Sequence, residues 1–347
     1  MSTPTRQITL RRHPMGWVTP NDFEIREAIL PAPPSNHVLV RAIFMSLDPY
    51  MRGRMDANKT YAQNFQIGEP LKARVIGEVI HSRHANFNPG DLVHGMVDWA
   101  DISIAQGSNL RHVDPTVAPL PYYLGALGMP GMTAWIGMEM GAPRPGETVF
   151  VSAASGAVGQ IAGQIAKLQS CRTVGCAGSD EKTAFLLDEL GFDAAFNYKS
   201  STAVLEALKV AAPNGVDMYF DNVGGIILEA ALDHANNFAR FIQCGLISQY
   251  NLSREETTGV RNLTHINRKR IRMEGFIVSD HSDRLEEFMS EMKAWLSSGQ
   301  IRYRIDITNG LENAPEAFIS MLKGGNFGKQ VVQIGPTPPE SHEAKHL

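Results

Sequence analysis

The stretch VFVSAASGAVG, from Val149 to Gly159, joins a short apolar strand pattern through a glycine turn to a helical pattern that runs from Val158 to Leu168. This order is typical of a dinucleotide-binding turn. Gly156 would let the backbone approach a pyrophosphate, Gly159 would let the helix pack closely on the strand, and the N–H groups of the helix start would face the anion. Ala154 stands where the G-x-G-x-x-G form has its first glycine, so the motif alone is a weak signal.

Apolar strand patterns and helical patterns alternate for more than a hundred residues after this turn. Helical patterns such as Asp180–Leu190 and Arg284–Leu296 separate the strand patterns. With Val149–Ala154 there are six predicted strands, the others being Arg172–Gly178, Ala194–Tyr198, Val216–Val223, Ala239–Gly245 and Ile271–Val278. This alternation predicts an α/β fold with a doubly wound parallel sheet, which binds its ligand at the carboxyl ends of the strands.

The first 125 residues have a different pattern, because prolines punctuate strand-like segments such as His37–Phe44 and Arg74–His81. They predict a β-rich domain. After the central region the chain reads as a strand, a helix and a strand, at Tyr303–Ile307, Asn313–Leu322 and Lys329–Ile334. We therefore expect a β-rich domain at 1–125, completed by 303–347, and a dinucleotide-binding domain at 126–302.

The bulk properties favour a reducing compartment and exclude several classes of partner. The chain has 347 residues, a net charge of −4 and three cysteines without C-x-x-C spacing. The negative net charge does not indicate a basic surface that binds nucleic acid. The cysteine usage favours a cytoplasmic protein. The N-terminus has no apolar signal region, and the uncharged stretch Tyr122–Met138 is broken by glycines and a proline, so no membrane span is expected.

Eight motifs follow one another along the chain. They are Leu47–Arg52 (LDPYMR), Leu127–Ala134 (LGMPGMTA), Ala153–Gly159 (AASGAVG), Gly178–Lys182 (GSDEK), Phe196–Lys199 (FNYK), Tyr219–Gly225 (YFDNVGG), Cys244–Gly245 with Ser248–Asn251, and Gly325–Lys329 (GNFGK). In this order they resemble the motifs of one family, the zinc-independent medium-chain dehydrogenase/reductases. Within it they resemble the group of prostaglandin reductases, plant double-bond reductases and bacterial curcumin reductase. The segment with Tyr61, Ala62 and Phe65 looks nearest to the curcumin-reductase branch.

The resemblance covers nearly the whole chain and implies both a fold and an activity. The fold is a Rossmann domain together with a β-rich GroES-like barrel domain. The activity is the NADPH-dependent reduction of the carbon–carbon double bond of α,β-unsaturated ketones or aldehydes, by hydride transfer to the β-carbon. We also expect a cytoplasmic homodimer that acts on a small molecule and has no nucleic-acid or membrane partner.

The end of the second predicted strand bears on the choice between NAD and NADP. An NAD site usually has an Asp or Glu there that binds the ribose hydroxyls. Asp180 is a candidate, but a Ser-Asp pair that opens a helix is more simply a cap. Lys182 lies in the first turn, where the helix dipole disfavours a cation unless an anion offsets it. The 2′-phosphate of NADP fits that need, whereas the alternative is a solvated lysine.

The resemblance also implies further contacts to the cofactor, most of them at strand ends. Together with Lys182, the matching residues are Thr133, Gly156, Ala157, Val158, Gly159, Gly178, Ser179, Tyr198, Asn222, Cys244, Gly245, Ser248, Tyr250, Phe276, Ile277, Val278 and Asn326. For several of them, packing or turn formation is the alternative explanation. For Asn222 and Asn326 we favour a functional role, because each polar side chain lies between apolar or glycine-rich segments and needs a partner.

We expect no metal site. The zinc alcohol dehydrogenases of the wider superfamily need an early cysteine ligand and a Gly-His-Glu motif, and the chain has neither. His81, His84 and His94 form the one histidine cluster of the first domain, without a thiolate or carboxylate at metal spacing. Hydride delivery to an acceptor that is already polarised is then a better interpretation than alcohol oxidation.

Hydride addition to an enone leaves negative charge on the carbonyl oxygen, so a donor must meet that oxygen. A tyrosine hydroxyl is suited to this role. Plant and mammalian relatives place a tyrosine shortly before the strand that matches Arg272–Glu274, where this chain has Arg268-Lys-Arg270. We therefore rank Tyr50 and Tyr61 as the catalytic candidates and place Tyr250 beside the cofactor.

Two alternatives stay open at this point. A quinone reductase would use the same cofactor site and differ in its acceptor. A non-catalytic NADPH-binding sensor would need only the cofactor half, so the tyrosines of the first domain disfavour it.

Overall fold

A computed structural model of the chain describes residues 2–57, 62–201, 203–253 and 255–338. The chain divides into two compact units, which we name the β unit and the Rossmann unit. The β unit runs to Leu124 and adds Ile305–Asn326 and the chain from Gln330. The Rossmann unit consists of Gly125–Arg304 and Phe327–Lys329.

The described residues form strands and α-helices along both units. The strands are β1 Thr3–Leu10, β2 Phe23–Leu30, β3 His37–Ser46, β4 Lys72–Ser82, β5 Leu92–Asp98, β6 Ile102–Gln106, β7 Leu110–His112, β8 Thr148–Val151, β9 Arg172–Ala177, β10 Ala194–Asn197, β11 Val216–Asp221, β12 Ala235–Gln243, β13 Arg272–Gly275, β14 Ile305–Asn309 and β15 Lys329–Gln333. The α-helices are α1 Met51–Arg54, α2 Met129–Gly141, α3 Gly159–Leu168, α4 Asp180–Asp188, α5 Val204–Ala211, α6 Gly225–His234, α7 Thr264–Lys269, α8 Leu285–Ser297 and α9 Ala314–Leu322.

The Rossmann unit is built on a six-stranded sheet in the order β10-β9-β8-β11-β12-β13. Every strand pair in it is parallel. Renumbered from β8, the order is 3-2-1-4-5-6, which is that of a doubly wound dinucleotide-binding sheet. Each of the six predicted strands is present, and β8, β9 and β11 are largely buried, as strands covered on both faces of a parallel sheet are. The predicted α/β class is therefore confirmed.

Aromatic side chains fill one face of this sheet. The ring of Tyr219 stacks on that of Phe150 with 5.0 Å between centroids and meets Phe241 edge-on at 5.3 Å. All three side chains are fully buried. Such ring pairs contribute about 0.5 to 1.5 kcal/mol each beyond the burial of their area. The core therefore fixes β8, β11 and β12 relative to one another, and these are the strands whose carboxyl ends carry much of the predicted cofactor site.

The start of β12 differs from the prediction, which began this strand at Ala239. The strand begins at Ala235, and Phe238 within it has a φ of 65° and an exposed ring. The pairing with β11 changes register across this segment. The irregular stretch that includes Asn236 and Asn237 has no apolar periodicity, so the early start could not be predicted from the pattern.

The β unit has a seven-stranded sheet and a separate two-stranded sheet. The order in the larger sheet is β14-β15-β3-β4-β5-β7, with β6 paired to β3, and the smaller sheet is β1-β2. Strands β14 and β15 come from the end of the chain. The core of this unit includes Trp99, which stacks on Phe23 and meets Phe318 of α9 edge-on. A separate β-rich sheet domain is thus present, as the resemblance implied.

None of the described helices combines the length and the apolar character that a membrane span needs. The uncharged stretch 122–138 is divided between a 3-10 turn at Leu120–Leu124 and helix α2. Gly128 has an extended backbone just before α2 and separates the two.

Candidate cofactor and active site

The glycine turn after β8 leaves no space for a side chain at its last glycine. A methyl group on Gly159 would overlap the carbonyl oxygen of Ala153 and lie 2.8 Å from the Cα of Ala154. Ala153 itself has a φ of 47°, and its carbonyl accepts the N–H of Gly156 at 2.9 Å. Helix α3 thus starts directly against the strand end, as the motif predicted.

Ala154, which departs from the glycine pattern, is accommodated by a glycine on the neighbouring strand. Its side chain is fully buried and its N–H donates to the carbonyl of Cys176 on β9 at 3.0 Å. A Cβ on Gly175 would come within 2.9 Å of the Ala154 methyl. The absence of a side chain at Gly175 therefore leaves the space that the Ala154 methyl needs.

Ser152 and Asp221 join the glycine turn to the end of β11. The N–H of Asn222 donates to Ser152 Oγ at 2.9 Å, and its side-chain amide donates to the Ser152 carbonyl at 2.8 Å. Oδ1 of Asp221 accepts the Tyr219 hydroxyl at 2.7 Å and the N–H groups of Val223 and Gly224 at 2.9 and 2.8 Å. Asn222 is thus held in place by hydrogen bonds from both its backbone and its side chain.

The loop that follows β12 is fastened to the same point. The N–H groups of Cys244 and Gly245 donate to the Asp221 carbonyl at 2.9 and 3.0 Å. Ser248 Oγ donates to the carbonyl of Val223 at 2.5 Å. The hydroxyl of Tyr250 accepts the N–H of Leu246 at 3.2 Å and lies 3.0 Å from where a Cβ on Gly245 would be. The predicted residues 244, 245, 248 and 250 therefore belong to one ordered loop beside Asn222.

Burial controls the protonation of two groups at this edge. It raises the pKa of the Asp221 carboxyl, against the opposing effect of the Gly224 and Val223 N–H donors. Burial, followed by the nearby charge of Asp221, raises the pKa of the Cys244 thiol to about 12. Cys244 is thus protonated at neutral pH and is a poor nucleophile.

At the end of β9, Ser179 caps helix α4, whose first turn carries Asp180, Glu181 and Lys182. Ser179 Oγ accepts the N–H of Lys182 at 3.3 Å, which places Lys182 in the first turn of the helix. The Tyr198 hydroxyl lies 3.3 Å from the position of a Cβ on Gly178. Asp180, the alternative ribose ligand, accepts a hydrogen bond from the Asn197 side chain at 2.8 Å.

Lys199 was not among the predicted site residues. Its Cε and Nζ lie 3.2 and 3.5 Å from the Cβ position of Gly178, beside the Tyr198 hydroxyl. Lys199 is the last residue of the FNYK motif, so the signal was its position directly after Tyr198.

The remaining predicted contacts lie on several elements. In the Rossmann unit, Thr133 Oγ1 donates to the Met129 carbonyl within α2, and the half-buried residues 276–278 follow β13. The Tyr303 hydroxyl donates to the carbonyl of Ala157 at 3.2 Å. Asn326 is assigned to the β unit and lies between α9 and β15, half-buried.

Tyr50 lies in the β unit, in a turn that the sequence predicted from Asp48 and Pro49. The N–H of Met51 donates to the Asp48 carbonyl at 3.1 Å, and Ser46 Oγ donates to the buried Asp48 carboxylate at 2.6 Å. Tyr50 is half-buried and packs against the core of the unit. The other candidate donor, Tyr61, lies outside the described residues.

Comparison with known proteins gives matches over both units. A family model described as the N-terminal domain of oxidoreductase matches residues 6–113, and one described as zinc-binding dehydrogenase matches residues 157–294. The chain is 43% identical to a 2-alkenal reductase (NADP(+)-dependent) of Nicotiana tabacum, over 95% of this chain and 97% of that protein. It is 40% identical to an NADPH-dependent curcumin reductase of Escherichia coli, over 95% of this chain and 96% of that protein.

The chain belongs to the medium-chain dehydrogenase/reductase family, in the group of the double-bond reductases. Among solved structures it matches CurA of Vibrio vulnificus in complex with NADPH, with a TM-score of 0.91 and 40% sequence identity, over 96% of this chain and 100% of that one. The predicted resemblance is therefore confirmed.

Some members of the medium-chain family bind zinc through clustered His, Cys, Asp or Glu side chains. Across residues 2–57, 62–201, 203–253 and 255–338, no group of three or more His, Cys, Asp or Glu side chains is placed to hold a metal ion. His94 lies in β5, where burial and the charges of Arg74 and Arg111 lower its pKa to about 3. Independence from zinc stays a prediction.

Proposed function

We propose that this protein reduces the carbon–carbon double bond of α,β-unsaturated ketones and aldehydes with NADPH, by hydride transfer to the β-carbon. Bound NADPH supplies the hydride. The observation that carries the proposal is the sequence identity of 40% or more, over almost the whole chain, to proteins named as NADPH- or NADP-dependent alkenal and curcumin reductases. The likeness to CurA in its NADPH complex supports the same cofactor.

The residues at the strand ends of the Rossmann unit fit such a cofactor. We assign the pyrophosphate to the turn of Gly156, Ala157, Val158 and Gly159, because amide donors at a helix start attract anions and Gly159 brings helix and strand together. We assign the 2′-phosphate to Gly178, Ser179, Lys182 and Tyr198. The absence of a side chain at Gly178 allows the Tyr198 hydroxyl to lie close to the end of β9.

The loops after β11, β12 and β13 are assigned to the nicotinamide half of the cofactor. They carry Asn222, Cys244, Gly245, Ser248, Tyr250, Phe276, Ile277 and Val278, and we add Thr133 and Asn326 to the same set. The hydrogen bonds that fix Asn222 and the 244–250 loop support this assignment, since a site held by its own loops needs little ordering when the cofactor binds.

Tyr50 is our first candidate for the donor that meets the developing enolate oxygen, and Tyr61 is the second. The turn at Asp48 and Pro49, with Ser46 bonded to Asp48, fixes the backbone that carries Tyr50. A fixed donor costs no reorganisation when the charge develops. The Tyr250 hydroxyl already accepts a bond within its own loop, which favours a supporting role beside the cofactor.

We further propose that the enzyme needs no zinc and forms a homodimer in the cytoplasm. Independence from zinc is supported by the absence of the early cysteine ligand and of the Gly-His-Glu motif. The homodimer is supported by strand β13, which lies at the edge of its sheet and is largely exposed. A second copy of the chain can pair with such an edge. The three cysteines are free thiols, which fits a reducing compartment.

Steady-state oxidation of NADPH across a panel of enones, enals and quinones tests the proposed function. We expect turnover with enones and enals and identification of the saturated carbonyl product. A preference for quinones, with no reduction of enones, would favour the quinone reductase alternative. Tight NADPH binding without turnover on any acceptor would favour the sensor.

A further inference from the structure

Lys199 lies next to the site where the second strand of the sheet ends. A Cβ on Gly178 would be 3.2 Å from its Cε and 3.5 Å from its Nζ. In doubly wound folds the end of the second strand is where the adenosine ribose is recognised. Although Lys199 is exposed and follows a different strand, its ammonium group lies over the backbone of this strand end.

The turn that carries Lys199 is organised by Asn197. The Oδ1 of Asn197 accepts the N–H of Lys199 at 3.0 Å, and the hydroxyls of Ser200 and Ser201 donate to the Asn197 carbonyl at 3.2 and 2.9 Å. The backbone at Lys199 is therefore fixed on the side where β10 ends, and the side chain starts from a defined position.

Asn197 also holds the acidic side chain of this region. Its Nδ2 donates to Oδ1 of Asp180 at 2.8 Å, which directs that carboxylate toward β10. A carboxylate facing the ribose would repel a 2′-phosphate and favour NAD. One asparagine thus fixes both the acid that would oppose NADP and the backbone of the lysine that would attract it.

The charge of the ligand favours a second cation at this site. A phosphate monoester carries about −1.5 to −2 charges at neutral pH, so a single ammonium group leaves part of that charge unbalanced. Lys182 lies in the first turn of α4, and Lys199 follows β10 with its ammonium group beside Gly178. We propose that Lys199 is a second cation for the 2′-phosphate and determines, together with Lys182, the selection of NADPH over NADH. This inference rests on the NADPH dependence proposed above.

The test measures binding by calorimetry with adenosine 2′,5′-bisphosphate and, as the ligand without the 2′-phosphate, adenosine 5′-monophosphate. Lys199→Gln should weaken bisphosphate binding about 10-fold, as the loss of one charge-assisted hydrogen bond predicts, and leave the monophosphate within about 2-fold. Lys199→Arg should retain most of the affinity. Lys182→Ala is the reference for a phosphate ligand.

Lys209→Gln is the matched control, because Lys209 is an exposed lysine of α5 that pairs with Glu206. It should leave both affinities unchanged. Equal loss for the two ligands in Lys199→Gln, or no loss while Lys182→Ala loses affinity, would overturn the role of Lys199 and leave the NADPH dependence intact. If the wild-type protein did not distinguish the two ligands, the NADPH dependence itself would fail, and the role of Lys199 with it.

Discussion

Gly159 faces the carbonyl of Ala153 so closely that a side chain at position 159 would overlap it. Gly156, three residues earlier, has more space, since its Cβ would lie 3.1 Å from the same oxygen. The two glycines of one motif therefore serve different purposes. Gly159 lets the helix meet the strand, whereas we assign Gly156 to the approach of the pyrophosphate.

Alanine at these two positions should separate folding from binding. Gly159→Ala forces backbone atoms apart and should lower the free energy of unfolding by about 1 to 3 kcal/mol. Gly156→Ala should cost less stability but should reduce NADPH affinity at least about 10-fold, because the methyl stands where the backbone meets the phosphate. Urea unfolding and NADPH titration of both variants measure the two effects. Equal effects on stability and binding in the two variants would contradict this division.

His94 should make the protein acid-sensitive. Its folded-state pKa is lowered to about 3 from 6.5 by burial and by the charges of Arg74 and Arg111. Below its unfolded-state pKa, the unfolded chain takes up a proton that the folded state does not. Stability is therefore fully present above the unfolded pKa and falls as the pH decreases toward the folded pKa. The loss should reach about 1 to 2 kcal/mol near about pH 5.

His94→Gln removes this titrating group. Its unfolding free energy should fall less than that of the wild type between about pH 7 and pH 5. His81→Gln, at an exposed position of β4, serves as control and should follow the wild-type curve. Parallel pH curves for the wild type and His94→Gln would show that His94 is not the source of the acid sensitivity.

Much of the fold could be predicted from the sequence, because local patterns determine it. Most of the parallel strands lie in apolar runs, and the turns between them carry glycine and capping residues such as Ser179. The features that could not be predicted depend on contacts between residues that are distant in the sequence. The Asn197 bond to Asp180 crosses two strand ends, and the space beside Gly178 that Lys199 reaches is visible only once β9 and β10 are paired. The space that Gly175 leaves for the Ala154 methyl is likewise a contact between residues that are distant in the sequence.

Phenylalanine at the candidate tyrosines should identify the donor to the enolate oxygen. If Tyr50 is the sole donor, Tyr50→Phe should lower kcat by a factor of up to about 10² to 10³, while the affinity for NADPH barely changes. Tyr61→Phe is the parallel test for the second candidate. Tyr250→Phe should affect the cofactor rather than kcat, because its hydroxyl supports the loop at Leu246. Near-normal kcat in Tyr50→Phe and Tyr61→Phe alike would exclude both as essential donors.

Removal of metal should have no effect. Dialysis against a strong chelator should leave turnover and the unfolding midpoint unchanged, because the chain lacks the cysteine and Gly-His-Glu ligands of the zinc alcohol dehydrogenases. Elemental analysis of the protein before dialysis supplies the control. Stoichiometric zinc together with activity that is lost on chelation and restored by zinc would show that the enzyme is metal-dependent.

The fate of the hydride tests the central proposal most directly. NADPH deuterated at the transferred position is incubated with an α,β-unsaturated ketone, and the product is analysed by mass spectrometry and NMR. We predict a saturated ketone with one deuterium on the carbon that was the β-carbon of the enone. Deuterium on the carbonyl carbon of an allylic alcohol, or no deuterium in any product while NADPH is consumed, would contradict the proposal that this protein is a double-bond reductase.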